Sequence, residues 1–474
     1  MTIARPSSWA DISELMGQDP EETAFMNSFV TRDGRMPIPE PAGDRYLAGQ
    51  GPFFLADEES TAISFRLVPG FEEYLRTNGL LRGTLVQLDT LQAISGVDAS
   101  FANFTDPVLN KGLGYHNGSL DYTLLKAVEE AGAVRSALKG RRVFATFENG
   151  DLARVRKILG SKNGVDLNAS FLANNKVEMR RGAEKFGYKI AEGYSTDSLH
   201  QMSEKAQALL EAGYKKVWCK VATGYGGDLV RPASNYLEIG KAVRSLQGAL
   251  DMAKVNSNGI DNKHFAHQFV VEGDLTGKPG VEKFLDNLNV QAIVGENGVV
   301  PIGMSIQHVS NTGAYLGNMF DDESEAVTTY RSISIEAVMK VGEWARSVGY
   351  NGIIGVDLII VQEGGKPVAY MIDSNARPNA STSSLLMKNY LGAGVVLNAN
   401  IFLPEPVKDF DHAARLIGDS IYRAKGGVLP KFFHAINDKN VSIASPQLTC
   451  DIIGEDAGEV MNIVSEIRDR GIKI

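Results

Sequence analysis

One stretch of this chain restricts its fold more than any other. Gly355-Val-Asp-Leu-Ile-Ile-Val and Pro367-Val-Ala-Tyr-Met-Ile-Asp-Ser-Asn-Ala-Arg377 are apolar runs joined across Glu363-Gly364-Gly365-Lys366. Two such runs, closed by a glycine pair that tolerates positive φ, predict a β-hairpin. With the turn centred near Gly365, Asp357 falls opposite Asp373, within a residue of register. Strand alternation then places Asp373, Asn375 and Arg377 on one face. Two carboxylates and an amide oxygen suit Mg²⁺, which takes hard oxygen ligands and completes its shell with water and phosphates. Arg377 could clamp a phosphoryl oxygen or an oxyanion. The plainer alternative is an exposed hairpin face with scattered polar residues. The apolar flanks argue for a buried sheet instead, where an aspartate pair without a cation is costly.

A second constellation lies upstream, in Val217-Trp-Cys-Lys220-Val-Ala-Thr223-Gly224-Tyr225-Gly226-Gly227-Asp. A lysine ending an apolar strand before a glycine-rich loop can set an ammonium and backbone N–H groups against phosphates. A strand followed by a flexible turn fits the same residues. The lysine precedes the glycines, so this is not a P-loop, nor does it match the dinucleotide fingerprint. Lys176 follows Asn174-Asn175, either of which can cap a helix ending near Gly187. Gln268-Phe-Val-Val-Glu272 reads as a strand ending in an acid, either an interlobe hinge facing a base or a surface strand end. No GxSxG elbow or HExxH helix occurs. Cys219, beside Lys220, reads as a buried structural thiol rather than a reactive one.

The chain has 474 residues, 43% hydrophobic and 22% charged, enough for two or three domains with real cores. A net charge of −9 argues against nucleic acid as the main partner. Two cysteines supply no disulfide framework and fit a reducing cytoplasm. No apolar run reaches the roughly 18 residues of a membrane span, so no membrane partner is expected. The first fifty residues, rich in Pro, Gly and acids, read as an extended arm or loose cap. Short apolar runs at Phe53–Ala56, Leu85–Leu88 and Val143–Phe147, with a helical stretch over Leu124–Leu138, predict an open α/β domain to about residue 165. Further helices are expected at Leu199–Ala212, Leu237–Lys254 and Glu325–Ser347, with strands at Val217–Lys220, Phe265–Val271 and on both sides of Glu296-Asn297-Gly298.

The order of these features is more specific than any one of them. Lys176, Lys220 with its glycine loop, Val270-Val-Glu272, Asn289-Val-Gln291, Gly355-Val-Asp357 and Asp373-x-Asn375-x-Arg377 together resemble the ATP-grasp superfamily from about residue 170 to 385. The resemblance implies an ATP-grasp fold with an open α/β pre-grasp domain (1–165), a small lobe (166–275), a large lobe carrying the hairpin (276–400) and an α/β closing segment (401–474). It implies that Lys176 and Lys220 hold ATP phosphates, with Lys220 also serving catalysis. Thr223, Gly224, Tyr225, Gly226 and Gly227 would form the lid, and Val271, Glu272 and Leu275 would line the adenine pocket. Asp357, Asp373 and Asn375 would carry one or two Mg²⁺, and Arg377 would steady the transferred phosphoryl group. Asp373 stands where the family more often has Glu. The ribose acid is open among Asp274, Glu282 and Asp286. The implied activity joins a small carboxylic acid to an amine, amino-acid-like, through an acyl phosphate, in a chain that can form a homodimer. A thioester-forming or carboxylating enzyme, or an ATP binder without catalysis, are the alternatives.

Overall fold

The hairpin forms as the sequence predicts. In the computed structural model, Gly352–Glu363 and Lys366–Asn375 pair antiparallel, with Glu363 against Lys366 and Asp357 directly opposite Asp373. Gly364 and Gly365 both take positive φ, 60° and 74°, as a two-residue turn matching the strand twist demands. The structure describes residues 3–16, 23–26, 44–45, 61–64, 70–87, 124–125, 128–129, 132–139, 142–145, 150–161, 165–222, 229–256, 268–310, 315–405, 407, 409–423, 426–433, 436–437 and 447–474. They fall into two units. The first comprises residues 1–4, 168–318 and 322–376; the second comprises 5–167, 319–321 and 377–474.

The second unit opens with strands β1 (Thr23–Met26), β2 (Thr61–Ser64), β3 (Thr84–Gln87) and β4 (Arg142–Ala145), a parallel sheet in the order β3-β2-β1-β4. The first fifty residues are therefore not only an arm. Thr23–Met26 is an interior strand paired on both sides, and a capping box at Ser8 and Asp11 starts a helix over Trp9–Leu15. Of the predicted helix Leu124–Leu138, Gly132–Leu138 is a continuous helix. The expected strand Phe53–Ala56 lies outside the described residues.

After the helix Leu167–Ala173, the first unit continues with helix α1 (Lys176–Phe186), capped by Asn175 and ended by Gly187 at φ 70°. Next come β5 (Gly193–Thr196), α2 (Leu199–Glu211), β6 (Val217–Val221), β7 (Val230–Ala233), α3 (Tyr236–Asn256) and β8 (Phe269–Gly273). The four strands form an antiparallel sheet in the order β5-β8-β6-β7. Alternation decides what its faces carry. Val217, Cys219 and Val221 from β6, with Phe269 and Val271 from β8, pack against Met202, Leu209, Ile239 and Leu246 of the two helices. Lys220, Val270 and Glu272 consequently emerge on the opposite face. The expected start of β8 at Phe265 moves to Phe269, residues 265–267 being outside the described set.

The remainder of this unit is a second antiparallel sheet. Its strands β9 (Val281–Gly295), β10 (Gly298–Val309), β11 (Tyr315–Asp321), β12 (Gly352–Glu363) and β13 (Lys366–Asn375) run in the order β13-β12-β9-β10-β11, with β11 in this unit up to Asn318. Helix α4 (Glu325–Ser347) covers it, burying Val327, Ile335, Val338, Val341 and Trp344, side chains that each contribute about 1.5–3 kcal/mol. Helix α1 closes onto α4 through Gly182, where a Cβ would lie 2.5 Å from the Trp344 ring. That close approach sets how α1 presents its polar face.

The second unit ends with α5 (Ala380–Leu391), β14 (Val395–Phe402), β15 (Gly427–Phe433), β16 (Gln447–Gly454) and α6 (Ala457–Asp469), its strands antiparallel in the order β14-β16-β15. Stacking of Phe71 on Phe410 at 5.3 Å, and a hydrogen bond from Tyr74 to the Tyr422 carbonyl at 2.9 Å, join its N-terminal and C-terminal parts. Among the described residues, no helix is long and apolar enough to cross a membrane.

Candidate functional site

The polar face of the hairpin is organised around Asp357. Its Oδ1 accepts from Asn289 Nδ2 at 2.6 Å and Gln307 Nε2 at 3.0 Å; its Oδ2 accepts from Asn375 Nδ2 at 3.3 Å. Gln291, fully buried, donates in turn to Asn289 Oδ1 at 2.6 Å. Amide donors around one carboxylate make charge-assisted bonds that lock its orientation. Ser374 points the other way, giving its hydroxyl proton to the Ala173 carbonyl at 2.8 Å, so Asp373 and Asn375 share the open face.

Asp373 meets α1. Its Oδ1 sits 2.9 Å from Lys176 Nζ, and the lysine side chain is 5% exposed. Lys176 is the first residue of α1. Its N–H donates to the Ala222 carbonyl at 2.9 Å, beyond the end of β6. Asn175 caps Val177 and Glu178 and reaches Gln268 Oε1 at 3.1 Å. Asn174 clamps the hairpin end, accepting from Ala376 N at 2.9 Å and donating to Ala376 O at 3.2 Å. The two asparagines read as competing caps thus have separate tasks: Asn175 caps the helix and Asn174 ties it to the hairpin.

One turn along α1, about 6 Å further by helical rise, Arg180 reaches Glu272. Its Nη1 lies 2.9 Å from Glu272 Oε1 and 3.0 Å from the Ala191 carbonyl. Lys220 Nζ donates to the other oxygen, Glu272 Oε2. All three side chains are nearly sealed, at 12%, 3% and 6% exposure for Arg180, Glu272 and Lys220. The structure thus gathers Lys176, Asp357, Asp373 and Asn375 at the hairpin, with Lys220 and Glu272 a helical turn away.

Other expected residues fall elsewhere. The Val271 side chain sits in the core between the sheet and its helices, on the face opposite Glu272. Leu275 packs with Ala191, Val361 and Tyr370 at the start of a short 3-10 turn. Thr223, Gly224, Tyr225, Gly226 and Gly227 lie outside the described residues. Arg377 belongs to the second unit, where its Nη1 is 3.5 Å from the Pro378 carbonyl. Burial pushes the Cys219 thiol up to about 12, as an inert structural thiol requires.

The three ribose candidates differ in what holds them. Asp274 is committed to the fold: Oδ1 accepts from Thr276 N and Oγ1, and Oδ2 contacts Lys216 and Trp218. Glu282 accepts from Gly365 N at the hairpin turn. Burial raises the half-buried Asp286 carboxyl above its usual range. Beside these, Glu363 binds Lys278 at 2.8 Å and Tyr370 at 2.8 Å. Hydrogen bonds from those two groups, led by Lys278, hold its carboxyl down at about 2.

Sequence reasoning missed Arg180, Asn174 and Gln307 as site residues. Arg180 stands four positions after Lys176, one helical face, and that spacing was a signal available in the sequence. Gln307 carried none, because β10 brings it to Asp357 from fifty residues away.

Solved structures with the same architecture decide the fold. An L-amino acid ligase from Bacillus licheniformis superposes with a TM-score of 0.51 over 94% of this chain and 97% of its own, at 12% identity. A biotin carboxylase from Campylobacter jejuni, solved with a β,γ-ATP compound, superposes at 0.53 over 95% and 91%, also at 12% identity. This chain has the ATP-grasp fold. No protein-family profile matches the chain. By sequence it is 26% identical over 207 residues to a [butirosin acyl-carrier protein]–L-glutamate ligase of Niallia circulans, covering 43% of each protein. The match thus spans less than half the length of that relative.

Proposed function

We propose that this ATP-grasp protein is an ATP-dependent carboxylate–amine ligase acting on small, amino-acid-like substrates through an acyl phosphate. One observation carries the reading: a buried lysine, Lys176, is paired with Asp373, which lies in register across the hairpin from the amide-braced Asp357. Cation and carboxylates side by side are what a metal–triphosphate complex requires, the lysine for phosphate oxygens and the acids for the metal. The named activities of the glutamate ligase and the amino acid ligase point to the same substrate class.

The donor set fits Mg²⁺. Two carboxylates and Asn375 converge at the hairpin, and Mg²⁺ needs only one or two protein carboxylates when phosphates supply the rest. Among the described residues no cluster of three or more His, Cys, Asp or Glu forms, so the residues present do not make an all-acid cage. Bound there by Asp357, Asp373 and Asn375, the ion would draw charge from the phosphoryl oxygens.

A carboxylate is a poor acyl donor because oxide would have to leave. Its oxygen attacks the γ-phosphorus, ADP departs, and the resulting mixed anhydride carries phosphate as a good leaving group. An amine then adds to the carbonyl and gives up a proton to solvent, and phosphate leaves from the tetrahedral intermediate. Lys176 and Lys220 hold the phosphates in line.

A hydroxylamine trap tests this directly. The protein, Mg²⁺, ATP, hydroxylamine and pools of amino and carboxylic acids are expected to yield ADP and one acid's hydroxamate. ATP binding without ADP release from any pool would leave a binding protein only, and bicarbonate-dependent ADP release would indicate carboxylation. Lys220→Ala is expected to weaken Mg·ATP binding about tenfold, or roughly 1.4 kcal/mol, by isothermal titration. Unchanged affinity would remove Lys220 from the phosphate site.

A further inference from the structure

The Lys220 ammonium does not face the nucleotide site as a lone cation. Glu272 lies against it, and a simple lysine–glutamate pair is neutral, with little pull on a polyphosphate. Arg180 changes that balance. It takes the second oxygen of the same carboxylate at 2.9 Å, so two cations share one anion and the buried cluster keeps one net positive charge.

We infer that Arg180 is a positioning residue for phosphate binding, holding Glu272 so that Lys220 keeps an excess of positive charge and a fixed ammonium; this rests on the ATP-site reading above. Three features support it. Arg180 is anchored by the Ala191 carbonyl at 3.0 Å as well as by Glu272, which fixes its planar fork. Glu272 splits its oxygens between the two cations, Oε1 to Arg180 and Oε2 to Lys220, so Arg180 fixes the carboxylate against which the Lys220 ammonium is held. Lys176 sits four residues before Arg180, so one face of α1 delivers both cations, one to Asp373 and one to Glu272. The cluster lies where low polarity strengthens every charge, so one unit of charge there has a large effect on a triphosphate.

A charge cycle on the full-length protein tests this. Mg·ATP and adenosine binding are measured by titration calorimetry for the wild type, Arg180→Gln, Arg180→Lys and the double variant Arg180→Gln/Glu272→Gln, with thermal melts of each. Arg180→Gln is expected to weaken Mg·ATP about tenfold while adenosine binding holds within about twofold. The double variant removes one cation and one anion and is expected to recover most of the lost Mg·ATP affinity, a result that a merely structural clamp would not give. Arg180→Lys, which keeps the charge, is expected to stay within about threefold of the wild type, and it carries the test should Arg180→Gln fail to fold. Wild-type affinity in Arg180→Gln, an equal fall in adenosine binding, or no recovery in the double variant would overturn the inference. A wild type that binds no Mg·ATP would sink the functional reading instead, with the variants still reporting any adenosine site.

Discussion

Replacing Asp373 with alanine is expected to lower ADP release by roughly 10³-fold or more while leaving the protein folded. Asp373 stands across the strand pair from Asp357 and holds Lys176 at 2.9 Å, so one carboxylate serves both the proposed metal site and a phosphate-binding lysine. Its loss removes a metal ligand and releases Lys176 from its present partner in one step. Asp373 is 28% exposed but Lys176 only 5%, so its loss also leaves a nearly buried ammonium without this carboxylate and costs some stability, while the fold itself is expected to survive. A melt within a few degrees of the wild type would establish that. Mg·ATP binding is expected to fall toward the metal-free level, a readout independent of turnover. Near-normal ADP release from Asp373→Ala would mean that the site lies elsewhere.

The largest loss of stability is expected at Lys431, far from that chemistry in the chain. On β15, Lys431 is 1% exposed and donates to Ser384 Oγ at 2.8 Å and Asp451 Oδ1 at 3.2 Å. Asp451 is wholly buried and also accepts from Ser384 at 2.6 Å and Asn398 at 3.1 Å. Burial pushes the Lys431 ammonium below its usual range, against the opposing pull of Asp451. Lys431→Met leaves a buried carboxylate without its cation, a change that costs about 3–5 kcal/mol. Urea denaturation monitored by circular dichroism should show it. Removing both charges in Lys431→Met/Asp451→Leu is expected to recover most of the loss, since a well-packed apolar pair can match a buried ion pair. A single variant as stable as the wild type would show that the pair is neutralised by other means.

Which features were legible in the sequence follows from the range of the forces involved. The hairpin register was legible because a period of two and the Gly364–Gly365 turn leave one alignment that keeps the apolar face buried. Helix α1 was legible because its cap at Asn175 and its left-handed stop at Gly187 lie within a few residues of it. Thr23–Met26 was not, because a parallel strand is stabilised by partners at Thr61–Ser64 and Arg142–Ala145, which leave no local trace. The facing of the Val271 side chain illustrates a subtler difficulty. Glu272 next to it faces the cation cluster, whereas Val271 faces the core, and one residue of phase on a short strand decides between them.

By itself the sequence determined the hairpin, through local periodicity and turn chemistry, and the order of lysine, glycine loop and acids, whose resemblance to the ATP-grasp superfamily implied the fold class. Tertiary structure alone decided that Glu272 pairs with both Lys220 and Arg180, and that Asn289 and Gln307 brace Asp357. Side-chain charges and amides interact over a few ångströms, and only the packing of strands many residues apart brings them that close.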